Sequence, residues 1–300
     1  MHCAFRVASL ACSIILLPLA AHSASQPARF SGSAALSYTA KAVSFGERPS
    51  GSDAIVKLRA WIVAQLKPLG PTVVLDSFTG HTPAGLVPMA NIIAKFPGSS
   101  GKAIAVTGHY DTKRIPMVHF VGANDAGSST GFLLELAHVL ARQKHTDDIY
   151  LVWFDGEEAV RAEWSEADSR YGSRHLADKW MADGTLSKLK ALINIDMVGD
   201  KNLDIAPDLN SSQSLRDLIW RTAESLGYGK YFPSQGGAID DDHMPFIASG
   251  ANAVDIIDLD YGPQNSYWHT AQDTMDKLSA HSFQVVGDVI VQVLAKLQAQ

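Results

Sequence analysis

Two hydrophobic periods, one helical and one extended, take turns along this 300-residue chain, and that alternation limits the fold more than any other feature. Ile55, Leu58, Ile62, Leu66 and Leu69 recur at helical spacing and stop at Gly70-Pro71. Extended runs follow at residues 72–78 and 91–96, then an apolar strand at 103–107. Beyond them the pattern predicts a helix at 129–142, a strand at 149–154, a helix at 171–181, a strand at 192–197, a helix at 214–226, a strand at 253–259 and a closing helix at 282–297. Strands alternating with helices predict an α/β fold, a three-layer αβα sandwich around a mostly parallel, mixed central sheet. Ligands of such sheets bind beyond the carboxyl ends of the strands.

The first 24 residues stand apart from this pattern. Arg6 supplies a positive start, residues 8–21 an apolar stretch, and Ala21-His22-Ser23 a small-x-small cleavage site, so 1–24 read as a secretory signal peptide. The apolar run is shorter than the roughly 20 residues of a spanning helix, which argues against an anchor. Ser9-Leu10-Ala11 before Cys12 is a poor lipidation signal. Both cysteines, Cys3 and Cys12, fall in this leader. The mature chain therefore has no thiol nucleophile, no Cys-zinc site and no disulfide. An exported chain without disulfides points to a bacterial periplasm or to secretion. Residues 28–300, with no internal repeat and no linker, read as one catalytic domain, expected to act as a monomer. The net charge of −6 becomes −7 once Arg6 leaves with the signal, and such a surface offers no cationic field for nucleic acid. No membrane contact is expected after cleavage.

Polar residues gather at the predicted strand ends. His109 and Asp111 follow the 103–107 strand, and Asn124-Asp125 precede the next helix. Asp155-Gly156-Glu157-Glu158 follow the 149–154 strand, Asp196 closes the 192–197 strand, and Trp268-His269 lie beyond the last one. Taken singly, each reads as a solvated loop acid or a core-edge histidine. Together they form an imidazole and carboxylate set without thiolates, suited to Zn²⁺ in an open catalytic site. Neighbouring side chains at a strand end diverge, so one of Glu157 and Glu158 can hold metal while the other faces substrate as a general acid or base.

Two further motifs compete for attention. Gly127-Ser128-Ser129-Thr130-Gly131 fits G-x-S-x-G, but a polar loop separates it from the preceding strand, where a nucleophile elbow follows its strand directly. Asp240-Asp241-Asp242 read as a solvated acidic turn or as an N-cap for a short helix around 243–247.

Two long stretches carry a family resemblance. One runs Phe154-Asp155-Gly156-Glu157-Glu158-Ala159, then Trp164-Ser165, Asp168-Ser169 and Tyr171-Gly172-Ser173-Arg174-His175-Leu176-Ala177. The other runs Asp241-Asp242-His243-Met244-Pro245-Phe246, then Trp268-His269-Thr270 and Asp273. With them, the chain resembles the secreted glutaminyl-peptide cyclotransferases (glutaminyl cyclases), within a larger family of zinc aminopeptidases. The resemblance spans nearly the whole mature chain, from Gly46-Glu47-Arg48-Pro49 onward. It implies that Asp125, Glu158 and His269 bind one zinc. It also implies that Glu157 shuttles protons within an acid network with Asp196 and Asp241, which would raise the Glu157 pKa. Trp268 matches the aromatic that packs on substrate, and Trp164 one of the active-site region. The implied substrates are peptides or proteins with N-terminal glutamine, turned into pyroglutamate with loss of ammonia.

Two other functions follow from the same residues. On the aminopeptidase alternative, His109 and Asp196 hold a second zinc, Asp125 bridges, and Glu157 activates water to cleave the first peptide bond. A third reading, an inactive binding ectodomain, requires lost ligands, and none is lost here. The chain departs from animal cyclases at Asp255, where they carry a histidine, by one inserted residue between Glu158 and Trp164, and by lacking their disulfide. Asp255 is expected to bear on substrate preference and rate.

Overall fold

The computed structural model describes residues 29–300, together with 1, 2 and 4. The rest of the leader, with Cys3 and Cys12, lies outside the described residues. Helices α1 (Gly32–Val43) and α2 (Asp53–Leu66) precede the hairpin β1 (Thr72–Thr82) and β2 (Gly85–Phe96). Then come β3 (Ala103–His109), α3 (Gly127–Leu140), β4 (Asp148–Phe154), α4 (Tyr171–Ala182) and β5 (Leu189–Asp196). The chain closes through α5 (Gln213–Ser225), α6 (Met244–Ala248), β6 (Ala253–Ile257) and α7 (Ala280–Gln298).

The six strands form one sheet in the order β1-β2-β4-β3-β5-β6. β4, β3, β5 and β6 run parallel, and the β1–β2 hairpin adds to β4 antiparallel, which makes the sheet mixed. Alternation along the strands assigns the two faces. Ile104 and Val106 of β3, Leu151 and Trp153 of β4, and Ile193 and Ile195 of β5 enter one core with α1, α2, α3, α5 and α7. Ala105, Val152, Phe154 and Leu192 point the other way, onto Leu176, Ala177 and Trp180 of α4 and Phe246 of α6. The result is the three-layer sandwich the periodicity predicts.

Two elements extend beyond that prediction. α1 buries only Gly32, Ala35, Thr39 and Ala42, so no row of bulky side chains marks it in the sequence. The hairpin runs to Thr82 and restarts at Gly85, past the apolar runs, because backbone pairing continues from Phe78 opposite Met89 to Thr82 opposite Gly85. After β3 the chain first pairs β4 on one side and then β5 on the other. That reversal opens a crevice at the carboxyl ends of these strands.

Candidate active site

Four strand ends and one helix entry converge over the crevice. β3 ends in His109, the loop into α3 carries Asp125, β4 leads to Glu157 and Glu158, β5 ends in Asp196, and the segment after β6 brings Trp268 and His269. His109 Nε2 lies 3.2 Å from both Asp125 Oδ1 and Asp196 Oδ1. On the other side of Asp125, His269 Nε2 lies 3.1 Å from Asp125 Oδ2 and 3.2 Å from Glu158 Oε1. Two ligand groups result, Asp125 with Glu158 and His269, and Asp125 with His109 and Asp196, each with ligand atoms within 4.8 Å of one another. Asp125 serves both, one oxygen to each.

These residues fit a metal. Asp125 and Glu158 are buried, and among the described residues Asp125 Oδ2 and Glu158 Oε2 have no hydrogen-bond partner; the Lys113 ammonium, 3.7 Å from Glu158 Oε2, is one cation nearby, and a bound metal would compensate the rest. Imidazole nitrogens and carboxylate oxygens, three per group, match the ligand set of an open zinc site.

Backbone clamps hold both ligand-bearing loops. Asp273 accepts from the amides of Asn124 at 2.8 Å and Asp125 at 3.2 Å, and from the Tyr261 hydroxyl at 2.7 Å. Asp111 accepts from the amides of Glu157 at 3.1 Å and Glu158 at 3.4 Å. Lys113, which the sequence reading does not single out, donates its amide to Glu158 Oε1 at 3.1 Å and its ammonium to the Ala159 carbonyl at 3.0 Å.

A cavity of about 330 Å³ covers the site, lined by all eight residues predicted as catalytic, substrate-binding or metal-ligating: Asp125, Glu157, Glu158, Trp164, Asp196, Asp241, Trp268 and His269. His109 sits behind its floor, buried. Trp268 stacks on the His269 ring at 4.1 Å between centroids and stays 38% exposed at the mouth. Across from it, Trp164 donates its indole N–H to Asp240 Oδ2 at 3.2 Å, and Asp240 is ion-paired with Arg170.

Burial is the largest cause holding the Glu157 carboxyl well above the usual carboxylate range. His109 opposes the shift, while Glu158, Asp241 and Asp242 add to it. The expected direction therefore holds, but desolvation leads rather than charge repulsion. Asp196 is pushed up to about 7, again chiefly by burial, with His109 pulling it down and Asp241 and Asp125 pushing it up.

One expectation is corrected, and two other residues singled out in the sequence are placed. In the Asp240 to Asp242 run only Asp240 is solvated: Asp241 and Asp242 are buried, Ser173 donates to Asp242, and among the described residues no side chain caps α6. Asp255 does not line the cavity. It is fully buried on β6, accepting from the Asn194 amide at 3.1 Å, so it reaches substrate only through its neighbours. Ser129, already doubtful as a nucleophile, is sealed in the core with its hydroxyl on the carbonyls of His109 at 2.7 Å and Ala126 at 2.9 Å.

Against known proteins, residues 91–294 match the model of peptidase family M28. A glutaminyl-peptide cyclotransferase of Drosophila melanogaster is 33% identical over 242 residues, 72% of this chain and 67% of that one. The chain belongs to the glutaminyl-peptide cyclotransferases of family M28. Among solved structures, a glutaminyl cyclase from an Acidobacteriales bacterium is 40% identical, with a TM-score of 0.88 over 94% of this chain and 99% of that one. A Zn-dependent exopeptidase of Parabacteroides distasonis is 26% identical, with a TM-score of 0.79 over 91% of this chain and 99% of that one. Cyclases and exopeptidases thus share this fold, and the fold alone does not choose between their reactions.

Proposed function

We propose that the protein is a zinc-dependent glutaminyl-peptide cyclotransferase, which converts N-terminal glutamine of peptides to pyroglutamate and releases ammonia. The observation that carries the reading is the division of labour between adjacent carboxylates: Glu158 lies 3.2 Å from the His269 imidazole, while Glu157 lines the same cavity with its proton affinity raised by burial. Asp125, Glu158 and His269 would hold the zinc. When bound, zinc supplies Lewis-acid polarisation of the substrate's γ-carbonyl.

The substrate carries its own nucleophile. Its α-amine closes a five-membered ring on the γ-carboxamide carbon, so the C–N bond formed replaces the C–NH₂ bond broken. Trp268 and Trp164 flank the cavity and confine the glutamine side chain near that geometry, which lowers the barrier by avoided entropy loss. Glu157 takes a proton from the attacking amine and delivers one to the departing nitrogen, which leaves as ammonia. A carboxyl with raised pKa suits both halves of that exchange. Asp196 and Asp241 complete the acid network around it.

A second reading, the aminopeptidase, draws on the His109, Asp125 and Asp196 group, which offers a second metal three ligands, with Asp125 shared with the first group. Residues 28–300 act in this account as one catalytic domain and 1–24 as an export signal, placing the enzyme in the periplasm or outside the cell. Among the described residues no helix is long and apolar enough to cross a membrane.

The test is Glu157→Gln. Turnover of a Gln-initiated peptide should fall by about 10²- to 10⁴-fold. Zinc measured by mass spectrometry of the native protein should stay at one per chain. Two zincs per chain, with water-dependent cleavage of unblocked peptides, would favour the aminopeptidase.

A further inference from the structure

A second cavity, of about 550 Å³, adjoins the first at Asp240, whose side chain lines both. Its walls are Arg170 just before α4, Arg174 and Asp178 of α4, and Met244, Pro245 and Ala248 of α6. We propose that this groove binds the chain of the substrate beyond its N-terminal glutamine, so that the enzyme favours extended polypeptides over dipeptides. This inference deepens the cyclase reading and rests on it.

Asp240 stands where the two cavities meet. Its carboxylate is held from both sides, by the Arg170 guanidinium and by the Trp164 indole at 3.2 Å. It is therefore a fixed sill between the two cavities, and its side chain is 46% exposed for a passing peptide N–H. Past the sill stands Arg174. Its Nε donates to the Ser169 carbonyl at 3.1 Å and its guanidinium lies over the Tyr171 ring at 5.0 Å. Tyr171 is in turn fixed by its hydroxyl on Asp168 at 2.7 Å. This support orients the guanidinium, yet Arg174 forms no ion pair among the described residues, and its terminal nitrogens remain donors for peptide carbonyls. Glu166 and Asp178, also in the groove, form no ion pair among the described residues and offer acceptors for peptide N–H groups.

Donors and acceptors of both charges in one trough favour the backbone of an extended chain over any one side-chain charge. Binding energy gathered there, away from the reacting atoms, raises the efficiency of longer substrates.

The experiment compares kcat/KM for neutral, C-terminally amidated Gln-initiated peptides of two, four and seven residues. It uses the native protein, Ala248→Trp, which fills the groove from an exposed position on α6, and Arg174→Ala. The native protein should show a rise of roughly five- to tenfold from two to seven residues. Ala248→Trp should abolish that rise and Arg174→Ala should diminish it, the ratio of long to short serving as an internal control for damage to the fold. Equal kcat/KM at all lengths in the native protein, or an undiminished rise in both variants, would overturn the groove. Pyroglutamate from no peptide of any length would instead overturn the cyclase reading, and the groove with it.

Discussion

At the scale of single residues, the loops that carry the proposed ligands are held by buried carboxylates accepting from their backbone amides. His109, Asp125, Glu158, Asp196 and His269 betray themselves as polar residues where apolar strands stop, a pattern with no benefit to the core. Asp273 and Asp111 act on backbone amides 148 and 46 residues away in sequence, and no spacing rule announces such a bond. The Asp273 carboxylate faces two N–H groups of the loop that carries Asp125. Asp273→Asn replaces one acceptor oxygen with an NH₂ and sets donor against donor. We expect the zinc Kd to rise by about 10- to 100-fold, as for partners that orient metal ligands, together with a lower melting temperature from the buried donor pair. Competition with a chromogenic chelator checks this; unchanged zinc affinity would show that the clamp is dispensable. Asp255 belongs to the same scale: buried on β6, it accepts from the Asn194 side chain at 3.1 Å and interacts electrostatically with Asp241 and Asp196 of the site.

At the scale of elements, strands β2 to β6 were legible because each alternates between two apolar cores, and α3 and α7 because bulky residues recur on their buried faces. α1 escaped because it packs through small residues against a glycine. A Cβ on Gly131 of α3 would lie 2.1 Å from Thr39 Oγ1 and 2.5 Å from the Ala35 carbonyl oxygen on α1. The G-x-S-x-G match thus ends in a packing glycine. Helix propensity alone makes Gly→Ala favourable by about 1 kcal/mol in a helix interior. Here the close approach reverses the sign, and Gly131→Ala should destabilise the protein by about 1–3 kcal/mol, the cost typical of overpacking. Urea unfolding decides the matter, since a stabilised variant would mean that α1 does not pack so closely in solution.

At the scale of the whole molecule, an acidic chain buries many of its carboxylates, and their protonation links stability to pH. Asp258, just past β6, is pushed up to about 8, chiefly by burial, with Asp200 and Asp204 adding to the shift. An unfolded aspartate titrates near 3.9, so the folded state holds the extra proton between about pH 4 and pH 8. Stability from this group is complete below that window and is lost as pH rises through it. Asp258→Asn keeps an acceptor for the Asp204 amide, which now bonds Asp258 at 3.0 Å, and removes the charge. The variant should match the native protein near pH 4 and exceed it by on the order of 2 kcal/mol at pH 8. Parallel stability curves across that range would contradict the assignment.

Cyclisation and peptide-bond hydrolysis are the two reactions open to this family fold. The direct measurement is mass spectrometry of one Gln-initiated and one Leu-initiated peptide after incubation with the zinc-loaded enzyme. The Gln peptide should lose the mass of ammonia and the Leu peptide should persist intact. Rapid release of free leucine, with no pyroglutamate from the Gln peptide, would contradict the cyclase reading.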